Sequence, residues 1–303
     1  MAPGTYALII EGAKGGSSLN YQKIPLAAGL YFVGVPIGSA RDITLRALDV
    51  LASADVLAAE DTRSLRKLMD IHGVPLNGRQ IVALHDHSGS GVQDKLVAAI
   101  RDGQSVAYAS EAGMPLIADP GYALSKAVSE AGYLVTTAPG ATAVTTALAL
   151  AGLPTDAFFF AGFLPNASGA RRKRLEELRA IPATLAFYES PKRVAASVAD
   201  MADVLGNRPA ALCRELTKKF EEVRRLPLQE LAASLVETPV KGEIVLLVDR
   251  AAAGVVSEGD IESDLRAALI DNSVKDAAAI VSEAHEMPRR KVYQMALKLA
   301  KEN

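Results

Sequence analysis

The chain has 303 residues, half of them apolar and 22% charged, with a formal net charge of −2. That length allows two domains and a large buried core. The balance excludes a disordered chain and argues against one coated in basic charge, while leaving room for a local basic face.

The lone cysteine, Cys213, excludes an intramolecular disulfide and a cysteine-built zinc site, and it suits a reducing cytoplasm. No apolar run approaches the roughly 20 residues of a membrane span. Residues 1–28 lack a basic stretch followed by a clean apolar one, so they make a poor signal peptide, and "EGAKGGSSLN" (11–20) reads as a flexible lead-in.

From residue 30 the chain alternates. "LYFVGV" (30–35) is a β-rich run and "DITLRALDVLASA" (42–54) has helical periodicity. "DVLAAE" (55–60) and "DTRSLRKLMDIHG" (61–73) repeat that order, as do "QIVALH" (80–85) and "GVQDKLVAAIRDG" (91–103). "SVAYAS" (105–110), "GYALSKAVSEAG" (121–132), "YLVTTAPG" (133–140) and the small-residue helix "ATAVTTALALAG" (141–152) complete the half. Strands alternating with helices predict βαβ units and a largely parallel sheet.

"LPTDAFFFAGFLP" (153–165) breaks the pattern, and the basic cluster "ARRKRLEELRA" follows. "TLAFYES" (184–190), the helix "PKRVAASVADMADVLG" (191–206), "PAALCREL" (209–216) and "EIVLLV" (243–248) then predict a second α/β domain. The tail carries no strand signal and reads as three short helices, the last two over "NSVKDAAAIV" and "MPRRKVYQMAL". The expected organisation is a lead-in (1–28), an N-terminal α/β domain (29–153), a C-terminal α/β domain (154–250) and a helical region (251–303).

Four loops stand at carboxyl ends of expected strands: "GVPIGSARD" (34–42), "AEDTR" (59–63), "SEAGMPLIADPG" (110–121) and "APGATA" (138–143). Ligands of open α/β sheets bind outside those ends. Each loop alone could be a plain turn, but several on one edge predict a shared pocket. A pyrophosphate would call for bare amides, a helix N-terminus and a basic residue. "SEAGMP" instead offers the carboxylate of Glu111 and no base, which suits hydroxyls, an amine or a positive centre, all three present in S-adenosylmethionine.

"LYFVGVPIGSARDITLRAL", "AEDTR", "SEAGMPLIADPG", "PGATA", "FYESPKR", "RELTKKFEE" and "KGEIVLLV", in that order, resemble the tetrapyrrole methylase superfamily, and within it the members that act on ribosomal RNA. The resemblance covers about residues 29–250, with a fainter match in the tail. It implies two α/β domains with S-adenosylmethionine in the cleft between them, and commonly a homodimer. It further implies cytoplasmic 2′-O-methylation of a cytidine ribose in the decoding region of small-subunit rRNA, with free rRNA or the assembled 30S subunit as partner. Carried across by motif, Ile37, Ser110, Glu111, Ala112, Ile117, Thr142, Ala143, Tyr188 and Leu216 take cofactor-binding positions. The chain departs from the family at Ser39-Ala40, usually Asn-Leu, at Met114, usually threonine, and at "HDHSGS" (85–90), usually "HEHNE". These changes keep the pocket positions in place and weigh against a catalytic role for the 85–90 loop.

Methyl transfer to a hydroxyl needs alignment and removal of a weakly acidic proton. Glu60, Asp61 and Arg63 are the first candidates for that work, with Glu189 of "FYESPKR" behind them. Asp61 or Thr62 could equally be a helix cap. No metal is expected, since the close pair His85/His87 fits surface histidines better than a ligand set. An RNA partner should leave a basic footprint. The candidates are Arg171, Arg172, Lys173, Arg174, Lys192, Arg193, Lys218 and Lys219, then Arg224-Arg225 and Arg289-Arg290-Lys291. Any of these could be a solvated helix face, yet all follow residue 165 in a chain of net charge −2. A porphyrinoid methyltransferase and a non-catalytic ribosome-binding protein on the same fold are the alternatives.

Overall fold

The computed structural model describes residues 20–85, 90–251, 258–285 and 287–302. Most of the expected lead-in, and all of the 85–90 loop except its two end residues, His87 included, lie outside them. The chain divides into two compact units. The first takes the residues up to Ala147 together with Arg214–Glu222, and the second takes Leu148–Cys213 and everything from Val223 onward. The break thus falls a few residues before the one read from the sequence, and a short later segment joins the first unit.

In the first unit, β1 (Gly29–Val33), β2 (Val56–Ala59), β3 (Ile81–Ala83), β4 (Ser105–Ala109) and β5 (Leu134–Ala138) form a sheet in the order β3-β2-β4-β1-β5. Every pairing is parallel, as the alternation predicts. β1 and β4 are buried along their whole length, so both faces must be covered. Tyr31, Val33, Ala107 and Ala109 point to the face packed by α1 (Leu45–Ser53) and α2 (Thr62–Ile71). Leu30, Phe32, Val106 and Tyr108 point to the face packed by α3 (Ser90–Arg101) and α4 (Tyr122–Glu130).

One row of partners, Ala83, Ala59, Ala109, Val33 and Ala138, crosses all five strands. Because these carboxyl-terminal residues are level, the loops that follow them emerge side by side, and α5 (Ala143–Ala151) begins beyond the last.

The second unit holds β6 (Phe158–Phe163), β7 (Thr184–Glu189), β8 (Pro209–Arg214), β9 (Glu222–Pro227) and β10 (Ile244–Val248) in the order β6-β7-β10-β8-β9. This sheet is mixed: β7 runs parallel to β6 and antiparallel to β10. Leu185, Phe187, Leu212, Leu246 and Val248 pack there with α6 (Ser168–Leu178), α7 (Val194–Leu205) and α8 (Leu228–Glu237). The tail forms the three expected helices, α9 (Glu258–Asp271), α10 (Val274–Ala284) and α11 (Arg289–Glu302), around an apolar cluster of their own.

Candidate functional site

The loops beyond β1, β4 and β5 meet backbone to backbone. Val35 and Gly113 exchange both N–H···O bonds, at 2.9 and 3.2 Å, and the Gly34 N–H donates to the Ala138 carbonyl at 2.9 Å. A Cβ on Gly34 would sit 2.5 Å from the Gly140 nitrogen and 2.7 Å from the Met114 sulfur, so no side chain fits between these strand ends. The Gly140 N–H in turn points to the Met114 thioether at 3.2 Å.

On the other side of the β1 loop, a Cβ on Gly38 would meet Thr217 Oγ1 at 2.5 Å, and the Ser39 N–H donates to that hydroxyl at 3.0 Å. Through this contact the segment Arg214–Glu222 joins the first unit. Ile37 and Leu216, both buried, lie within the same patch. Ser110 is buried too, while Glu111, Ala112 and Ile117 are exposed.

Of the five described non-glycine residues with positive φ, four lie in these segments: Leu116 (73°), Ala118 (63°), Glu215 (49°) and Thr217 (64°). Such conformations cost about 1–3 kcal/mol each and persist where the surroundings over-determine them. Here the surroundings are visible. Leu116 packs into the core of the first unit. The Thr217 N–H donates to the Glu221 carboxylate at 2.7 Å, and Lys218 Nζ reaches Glu215 Oε1 at 3.3 Å.

The loop beyond β2 braces the same cluster. The Glu60 N–H donates to the Ala109 carbonyl at 3.1 Å, and Glu60 Oε2 accepts the Glu111 N–H, also at 3.1 Å. Glu60 therefore fixes the start of the 110–121 loop. Asp61 is the N-cap of α2, accepting from the Arg63 and Ser64 amides. The Arg63 N–H, with further help from Ser64 and the Arg63 side chain, holds its carboxyl below the ordinary range. A carboxylate so stabilised is a weaker base, which weighs against Asp61 as proton acceptor. The Arg63 side chain is 92% exposed and meets Asp61 at 3.5 Å.

Thr142 opens α5, where its hydroxyl contacts that of Thr145 and accepts the Thr145 N–H at 3.3 Å, with Ala143 next to it. Tyr188 belongs to the second unit, near the end of β7, with its ring edge-on to Phe160 and Phe163 at 4.9 and 5.6 Å between centroids. The segments 34–38, 110–121 and 138–143 carry two carboxylates, Glu111 and Asp119, and no lysine or arginine. Among the described residues no three histidine, cysteine or acidic side chains converge as a metal site.

The basic candidates divide sharply. Arg171 is buried, and its guanidinium is fixed on Asp200 at 2.6 and 2.7 Å. Arg172 bridges Asp200 and Asp203 at 3.1 and 2.8 Å. Burial pushes the Asp200 carboxyl up, but hydrogen bonds from Arg171, Arg172 and Ser168 outweigh it and leave a net lowering. Arg193 sits against buried Glu189 and reaches Asn166 and the Leu164 carbonyl, while Ser197 donates to Glu189 at 2.6 Å.

Arg171 and Glu189 are thus buried struts and Arg193 is half-buried against Glu189, which weighs against their expected places in an RNA footprint and in acid–base chemistry. A periodic signal was available for Arg171: it stands four residues before Leu175 and seven before Leu178, on the buried stripe of α6. Lys173, Lys192 and Lys219 are exposed, the last 5.5 Å above the Phe220 ring, and Arg174 pairs with Glu177. The packing of Arg214–Glu222 on Gly38 spans 178 residues of sequence and had no local signal.

Residues 29–232 match the family of tetrapyrrole (corrin/porphyrin) methylases, and residues 255–300 match the RsmI C-terminal HTH domain. A protein of Mesorhizobium japonicum named ribosomal RNA small subunit methyltransferase I is 45% identical, over 91% of this chain and 93% of its own length. One of the same name from Vibrio cholerae is 43% identical over 88% and 94%. Among solved structures, the methyltransferase CobJ superposes with a TM-score of 0.58 at 19% identity, covering 74% of this chain and 95% of that one. The chain belongs to the tetrapyrrole methylase family, on the branch of the ribosomal RNA small subunit methyltransferases I.

Proposed function

We propose that the protein methylates small-subunit rRNA with S-adenosylmethionine as donor, and that the accepting atom is the 2′-hydroxyl of a cytidine in the decoding region. The observation that carries the donor assignment is the 110–121 loop, whose backbone is held by Glu60 and Val35 and whose Met114 sulfur accepts the Gly140 N–H, while Glu111 stands exposed in a loop without lysine or arginine. A negatively charged, pre-formed edge favours a ligand with a positive centre and hydroxyls over a pyrophosphate. The rRNA assignment is supported by similarity along nearly the whole chain, helical tail included.

Bound in this cluster, the donor supplies an electrophilic methyl on a sulfonium. Ile37, Ser110, Glu111, Ala112, Ile117, Thr142, Ala143 and Leu216 are the residues of the first unit proposed to hold it. Of the expected acid–base trio, Glu60 supports the loop and Asp61 caps α2. In this reading the protein contributes mainly alignment, worth up to about 7–11 kcal/mol in ideal cases. Lys173, Lys192 and Lys219 are the exposed cations proposed as RNA contacts, with Arg172, Arg174 and Lys218 sharing their charge with acids. A homodimer acting on the 30S subunit in the cytoplasm belongs to the same proposal, and sedimentation of the pure protein tests the dimer.

The function is tested by incubating the protein with methyl-labelled donor and either assembled 30S subunits, free rRNA or uroporphyrinogen. Label in a cytidine ribose supports the proposal. Label in the macrocycle, or in the base rather than the ribose, overturns it.

A further inference from the structure

The three tail helices segregate their charge. α9 and α10 together carry seven acidic and two basic residues, whereas α11 carries five basic residues and one acid. Three of these acids are engaged locally: Glu262 pairs with Arg266, Asp264 with His285, and Asp276 with the Ser273 hydroxyl. None of these three partners is a cation of α11.

The α11 stripe that faces the core is Val292, Ala296 and Leu299. The opposite side carries Arg290, Gln294 and Lys298 at successive steps of four, with Lys291 seven residues before Lys298, all exposed. Tyr293, 40% exposed, stands at the edge of this side. The first turn holds Arg289, Arg290 and Lys291 and no acid, so three cations crowd the positive end of the helix dipole. This placement is mildly unfavourable in isolation, and an anion lying along it would relieve the repulsion. The core stripe is already buried against α9 and α10, and the exposed large apolar side chains of α11 are Tyr293 and Leu297, 40% and 39% exposed, too small an apolar area to anchor the helix in a lipid surface.

We infer that the exposed side of α11, Arg290, Lys291, Gln294 and Lys298 with Tyr293 at its edge, is a docking surface for the phosphate backbone of the substrate RNA. The inference rests on the rRNA reading and adds to it a second point of attachment, outside both α/β sheets. The major groove of A-form RNA is too deep and narrow to read with a helix. α11 therefore tracks phosphates, adding affinity without base selection.

The test compares the full-length protein with the R290Q/K291Q/K298Q variant, measuring binding to 30S subunits and to small-subunit rRNA across a salt series. Each phosphate contact contributes about 0.7 to 0.9 to the slope of log affinity against log salt. The variant should therefore lose about two to three units of slope and at least ~10-fold in affinity at 0.1 M salt. Its KM for RNA should rise while kcat at saturating RNA and donor affinity stay at wild-type values. The charge-retaining variant R290K/K291R/K298R should restore the slope, and R266Q on α9 should leave it unchanged.

An unaltered slope and KM in the first variant overturn the inference, as does loss of binding to anionic phospholipid vesicles in place of loss of RNA binding. If the glutamine triple variant does not fold, K298Q alone should still reduce the slope by about 0.7 to 0.9, and no reduction overturns the inference. Wild-type protein that labels rRNA while the variant keeps its slope sinks this inference alone; wild-type protein that labels no rRNA sinks the reading beneath it.

Discussion

The two sheets end in opposite ways. In the first unit the strand ends meet through glycines, positive-φ residues and shared backbone bonds, and Glu111 is left exposed among them. In the second, the end of β7 and the start of α7 are closed by side chains paired with one another: Glu189 with Arg193 and Ser197, and Asp200 with Arg171, Arg172 and Ser168. The first arrangement accepts backbone strain and leaves polar groups exposed at the strand ends. The second uses similar polar chemistry to lock helices in place. A charged motif therefore reveals its role only through what its partners leave unsatisfied.

The largest effect should come from breaking the closed arrangement. Asp200→Ala leaves Arg171 buried without its partner and should cost about 3–5 kcal/mol of stability, read from denaturant unfolding, with donor affinity of the folded protein unchanged. A loss below 1 kcal/mol would make the pair incidental. The same pair sets an acid dependence. The Asp200 carboxyl is held lower in the folded chain than in the unfolded one. Its contribution is therefore complete above the unfolded value of about 4 and is lost as pH falls through the folded value. Asp55, lowered chiefly by the Ser105 hydroxyl, should act in the same direction. Asp200→Asn should unfold less steeply with acid than the wild type, and an identical acid profile would contradict this.

Next in size is the open arrangement. Gly34→Ala places a methyl 2.5 Å from the Gly140 nitrogen, so the loops must separate. Overpacking of this kind costs about 1–3 kcal/mol, and donor affinity should fall by at least ~10-fold because the displaced backbone belongs to the proposed donor site. Wild-type affinity in this variant would detach the loops from the ligand. Smaller still is Asp61→Ala, which removes an N-cap and should cost about 1 kcal/mol, with kcat changed less than the ~10²–10⁴-fold expected of a general base. A drop in kcat of that size would return Asp61 to the chemistry.

The alternation over residues 30–151 made the first unit legible, because a parallel sheet covered on both faces demands apolar strands and amphipathic helices in turn. The second unit was harder. β6 (Phe158–Phe163) reads from the sequence as a domain break because proline and aromatics interrupt the alanine-rich pattern there, and its pairing with β7 shifts register at Gly162. β9 carries Arg224 and Arg225 and lies at the sheet edge, where charge is tolerated and no apolar pattern arises. The site loops could be found from their glycines and Glu111. Their mutual contacts could not, since Thr217 on Gly38, Met114 on Gly140 and Glu60 on the Glu111 amide are products of tertiary packing. The basic run 171–174 showed its charge but not that its first member faces inward.

The most direct test of the account is calorimetric titration of S-adenosylmethionine into the wild type, Glu111→Gln and Glu111→Ala. The exposed carboxylate bears little on folding, so both variants should keep their melting temperature to within a degree or two, while donor affinity falls at least ~10-fold, about 1.4 kcal/mol, with glutamine as damaging as alanine to any contact that requires charge. Equal affinity in all three proteins would contradict the claim that this acidic loop receives the methyl donor.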